Sequence, residues 1–183
     1  AVIPFLRPAG LGAPAVWLGG TLFYLLGVDP LFGRSEVLRL LGPLHAGEMG
    51  FLAAKRFYLF QVVCASVALV HALAEWLYSG RPLDRRLVLL LALLLAAGSL
   101  GRLYVVPKAQ GLNARAYIGP QRQVLRQPFS PAQRQAEQSL GLWHGAAIAL
   151  NVLSFAGVTL YFLQQSSPSN GGPKIFPRVR LRI

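Results

Sequence analysis

The chain has 183 residues, of which 54% are hydrophobic and only 13% charged, with a mean hydropathy of +0.48. A soluble domain of this size carries about 25% charged residues, so the composition argues against one and for a lipid environment. Eighteen Lys and Arg against six Asp and Glu leave a formal charge of +12. Beside apolar runs this long, and with no aromatic-basic RNA motif, that excess points to anionic headgroups or partner subunits and away from nucleic acid.

Four apolar spans occur in chain order, at about residues 14–32, 57–74, 87–106 and 140–163. Each is close to the roughly 20 residues that cross a ~30 Å hydrocarbon core. Backbone groups in lipid must bond within their own segment, so the spans are helices. The predicted fold class is an all-α membrane protein, a four-transmembrane-helix bundle with a short interfacial helix and an extended basic C-terminal tail. The domain division is an N-terminal segment 1–12, a membrane domain 13–164 and a tail 165–183. The first residues, Ala-Val-Ile-Pro, lack a methionine, which is expected of a processed or partly covered chain.

Between spans one and two, Val37, Leu38, Leu40 and Leu41 beside Arg34, Glu36 and Arg39 predict the interfacial helix. Spans two and three are joined by a tight polar turn. The link after span three is rich in Arg, Gln and Pro, and within it Ser130 followed by Pro131 marks the start of helix four. That start leaves about two helical turns clear of the membrane. After a Ser/Gly/Pro linker, the tail alternates Arg178, Arg180 and Arg182 with Val179, Leu181 and Ile183. This period-two pattern is expected to dock on a partner or to stay disordered. The basic residues divide eight to ten between the two membrane faces, a split that fixes no orientation.

Polar residues inside the spans are the candidate functional positions. At about 1.5 Å per residue, Asp29, Arg102 and His144 fall roughly 5–8 Å below the face that bears the two long links, which predicts one polar cluster joined by Asn151. An Asp29–Arg102 contact is expected, with His144 nearby. Its bland reading is a clamp between helices; its sharper reading is a proton or substrate site. In span two, Gln61, Cys64, Ala68, His71, Glu75 and Tyr78 recur at helical spacing and form a stripe facing the bundle interior. Gly141, Gly145 and Ala149 are small residues on one side of span four, as at close helix contacts.

Chemistry is not predicted. His71, about 21 Å deep, and His144, about 6 Å deep, are too far apart in level to share a haem. His45 has no companion at metal-ligand spacing, and Cys64 is the one cysteine. No phosphate loop, dinucleotide fingerprint or nucleophile elbow occurs. No catalytic, cofactor or metal residues are therefore expected, bound lipid apart.

The stretches "LWHGAAIALNV" in span four, "LNARAYIGPQRQVLRQ" (112–127) and "AGEMGFLAAKRFYLF" (46–60) carry a resemblance. Their order and spacing over residues 13–163 are similar to the transmembrane protein 205-like family. That resemblance implies a small four-span membrane protein with no established reaction, and makes Asn113, Arg115, His144, Gly145 and Asn151 signature positions. The basic tail is outside the pattern. The expected function is an accessory or structural subunit of a larger respiratory or photosynthetic membrane complex, in a mitochondrial, thylakoid or bacterial inner membrane. Its partners would be other subunits and anionic lipids. The alternative is a small transporter or trafficking factor using the intramembrane polar residues.

Overall fold

The computed structural model describes residues 3–79, 84–117 and 130–166. The tail with Arg178, Arg180 and Arg182 lies outside the described residues. Five α-helices succeed one another: α1 (Ile3–Phe23), α2 (Ser35–Ser79), α3 (Arg85–Leu100), α4 (Val106–Tyr117) and α5 (Pro131–Ser166). The described residues contain no strand. Four helical segments are long and apolar enough to cross a membrane. Between 17% and 33% of each such stretch is buried within the chain, so most of their apolar side chains face outwards.

Two prolines shape the bundle. Pro30 and Pro107 each lack an N–H, and each ring crowds the carbonyl four residues back, which opens the α-helical ladder. In both cases the helix widens into a π turn that ends two residues before the proline, at Tyr24–Val28 and at Gly101–Val105. The Asp29 amide then bonds the Tyr24 carbonyl and the Val106 amide the Gly101 carbonyl, five residues back. After the first π turn, a 3₁₀ turn over Asp29–Gly33 ends α1's run. After the second, α4 continues α3.

The link expected between spans one and two is itself helical. Gly42, at φ 72° and ψ 161°, breaks α2 into a short piece over 35–41 and a long one that starts at Pro43. A positive φ suits glycine, and proline suits a first helical position. Leu38, Leu40 and Leu41 are exposed on the short piece, as on an interfacial helix. The second helix therefore begins about fourteen residues before the apolar run at 57, because polar residues such as Glu48 and Lys55 do not stop a helix.

Around the interior, α2 packs on α1 and α3, and α5 packs on α1, α3 and α4. Trp17, Ala65, Ala68, Leu91, Leu94 and Tyr161 share one core. Contacts fix the register. Leu94 occupies the space where Gly157 would carry a Cβ, Gln61 and Val62 lie against Gly98, and Tyr58 against Gly101. From the antiparallel contact of Leu94 and Gly157, seven residues along each helix lead to Gly101 and Leu150. Nine the other way lead to Arg85 and Ser166, at the end where α2 also finishes. We call that end A, and the opposite one end B.

Candidate functional site

Polar side chains are buried at two levels of the bundle. At the first, the Trp17 indole N–H donates to the Gln61 side-chain oxygen. The Gln61 amide lies 3.4 Å from the Thr21 hydroxyl, which donates to the Trp17 carbonyl at 2.8 Å. Trp17, Thr21 and Gln61 are almost wholly buried, so this closed network pins α1 to α2. Only Gln61 belongs to the span-two stripe that the sequence singled out. His71 and Glu75, lower on that stripe, are half-buried, and the Glu75 charge is felt at the Tyr161 hydroxyl. Cys64 is half-buried as well.

The second level lies toward end B, between the two π turns. The Tyr24 ring stacks on Phe57 with centroids 3.9 Å apart and planes 4° from parallel. Its hydroxyl donates to Asp29 Oδ1 at 3.4 Å, long against the usual 2.7–2.8 Å for such bonds. Tyr58, 1% exposed, lies flat against Gly101, where a Cβ would run into its ring. The Asp29 charge reaches both phenols. Asn151 of α5 is 3% exposed and comes just after Leu150, which packs on the Tyr24, Phe57, Tyr58 and Val106 cluster. Three polar atoms are buried here with no hydrogen-bond partner: Tyr58 Oη, Asn151 Oδ1 and Arg102 Nη1.

The expected cluster is thus redistributed. Asp29 bonds Tyr24, and no ion pair joins it to Arg102 among the described residues. A π turn carries Gly101 inward and leaves Arg102 beside it, on the flank. His144 is exposed; thirteen residues from Gly157, it is level with Pro107, beyond the buried Asn151. Gly141, Gly145 and Ala149 are exposed too, with nothing within 4 Å of where the two glycines would carry a Cβ. Close helix approach inside the chain uses Gly98, Gly101 and Gly157 instead.

Past this level, helix ends form a cap. Asn113 is 2% exposed and donates to the Leu44 carbonyl at 3.2 Å. Its amide fills the space a Gly47 side chain would need, 2.7 Å from the ideal Cβ. Gln110 donates to Glu48 at 2.7 Å, and the Tyr117 hydroxyl to Glu137 at 3.1 Å. The motifs "AGEMG" and "LNAR" therefore meet face to face, while Arg115 is exposed.

Sequence reasoning missed Tyr24, Tyr58, Trp17 and Thr21. Aromatic residues in a span read as ordinary apolar filling, and only their hydroxyl or N–H distinguishes them. Among the described residues, no three His, Cys, Asp or Glu side chains gather as a metal site.

A family model described as a domain of unknown function, DUF4149, matches residues 13–117. The chain belongs to the DUF4149 family. The match does not itself tie it to the transmembrane protein 205-like family. Comparisons with curated proteins and with solved structures returned no match. The DUF4149 segment runs from α1 through α4, so it contains the Trp17–Gln61 pin, Asp29, both tyrosines and the Asn113 contact. Helix α5, beyond it, supplies Asn151.

Proposed function

We propose that this DUF4149 protein spans a bilayer as a non-catalytic accessory subunit and packs against a neighbouring membrane subunit through the outer side of α5. One observation carries the reading: Gly141, Gly145 and Ala149 form an exposed small-residue row, with open space where the two glycines would carry a Cβ. Leu142, Ile148 and Val152 beside them are exposed as well. Small residues let helix backbones approach closely in lipid, where packing rather than hydrophobicity drives association. His144 borders the row as a hydrogen-bonding group at its end-B edge. Anionic lipid at the basic positions, and membership of the transmembrane protein 205-like group, belong to the same reading, as does an organellar or bacterial inner membrane. Mild-detergent extraction followed by native electrophoresis tests it. The native chain is expected in a large assembly that Gly145→Leu releases, and migration as a free monomer in both cases would count against it.

A second reading, a small transporter or trafficking factor, is favoured by the unpaired Tyr58 and Asn151 oxygens inside the bundle. Flux in reconstituted vesicles that is unchanged by Asp29→Asn would remove it.

A further inference from the structure

We propose that Asp29, Tyr24, Tyr58 and Asn151 form a binding site for one monovalent cation, open toward end B. This is independent of any partner on α5. Its starting point is two orphaned oxygens: Tyr58 Oη and Asn151 Oδ1 have no partner, on side chains 1% and 3% exposed. Leaving a buried polar atom unmet costs about 1–3 kcal/mol, and few native structures keep such atoms without a reason. These two come from different helices and share a level, since Tyr58 lies on Gly101 and the α3–α5 register sets Gly101 beside Leu150.

The third component is charge. Asp29 is half-buried, at the end of an apolar helix, and its hydrogen bond from Tyr24 is a long 3.4 Å. Arg102 does not neutralise it, because no ion pair links them. A carboxylate in such surroundings calls for a positive counterpart. The Asp29 charge is felt at Tyr58 as well as Tyr24, so the carboxylate faces the orphaned level. The donor set is then one anionic carboxylate and three neutral oxygens.

Oxygen ligands of this kind suit hard cations. One negative charge balances one positive charge; a divalent ion would leave a net charge in a poorly solvated space. No His, Cys or second carboxylate completes a transition-metal set among the described residues. Access is graded: Pro30 and Leu31 beyond Asp29 are exposed, Asp29 is half-buried, and Tyr58 and Asn151 close the inner end.

The test uses the full chain purified in lipid nanodiscs. Thermal unfolding is monitored by tryptophan fluorescence while sodium, potassium or methylammonium chloride replaces choline chloride at constant ionic strength. A saturable rise in midpoint with at least one small cation is expected, with the three arms separating inorganic ions from a primary ammonium group. Asp29→Asn should abolish the rise. Tyr58→Phe, which removes only an oxygen, should weaken apparent affinity about tenfold. Glu36→Gln, at an exposed carboxylate, should leave it intact. Sodium NMR linewidths of the native chain, broadened and then narrowed by excess competing cation, need no variant. Coincident melting curves in all salts together with unbroadened lines would overturn the proposal, as would a cation effect that survives Asp29→Asn.

Discussion

At the residue scale, the closed and open polar levels behave differently under mutation. Trp17, Gln61 and Thr21 satisfy one another, so removing one leaves its partner buried and unmet. A double-mutant cycle of Trp17→Phe with Gln61→Leu should give a coupling of about 0.6–1.7 kcal/mol, the range of such bonds between membrane helices. Reversible unfolding in detergent measures it, and additive effects would show that the contact contributes nothing. Gly101 answers a different constraint. A methyl there meets the Tyr58 ring, which is held by Phe57 on one side and the helix on the other. Gly101→Ala should therefore destabilise by about 1–3 kcal/mol, as overpacking does. Gly145→Ala, with open space around it, should leave the same melting temperature unchanged.

At the scale of the element, helix α5 tests how its start is encoded. Ser130 and Gln133 form a reciprocal cap: the Gln133 amide donates to Ser130 Oγ at 3.3 Å, and the Ser130 amide to the Gln133 side-chain oxygen at 3.0 Å. Ser130→Ala should cost about 0.5–2 kcal/mol and raise hydrogen exchange in the first turn of α5 only. Uniform exchange along the helix would contradict this. Ser130 and Pro131 were legible in the sequence because capping is a local rule. The four apolar spans were legible for the same reason, since composition over about twenty residues decides them. The joint between spans one and two was not, because the glycine that breaks α2 and the polar helix after it leave no apolar signal. Nor was the pairing of polar groups. Helix rise placed Asp29 and Arg102 near one depth, but facing depends on the π turns before Pro30 and Pro107. Each adds a residue to a turn and rotates the residues beyond it, so that Gly101 and Tyr24, rather than Arg102, look inward.

For the whole molecule, helix lengths settle where material projects. At about 1.5 Å per residue, the 36 residues of α5 and the 33 of Arg85–Tyr117 make rods of roughly 50 Å. A hydrocarbon core is ~30 Å thick. Both rods, with α2, are level at end A, where Arg85 and Ser166 share a height. The excess therefore stands at end B, as the cap of α4 with the starts of α2 and α5. Its exposed Lys55, Arg56, Lys108, Arg115 and Arg134 would lie in water or among headgroups, and Asn113 on Gly47 with Tyr117 on Glu137 holds it together without lipid. This assigns sides that labelling can read. The chain's single cysteine, Cys64, sits mid-helix and half-buried, and Cys64→Ala provides a blank background. In sealed vesicles, cysteines placed by Lys108→Cys and Arg134→Cys should react with a membrane-impermeant maleimide from one and the same side. Arg86→Cys, at the start of α3, should react only from the other. If Arg86→Cys and Lys108→Cys labelled from one side, α3 would not cross the bilayer. If Lys108→Cys and Arg134→Cys labelled from opposite sides, α4 and the start of α5 could not form one cap.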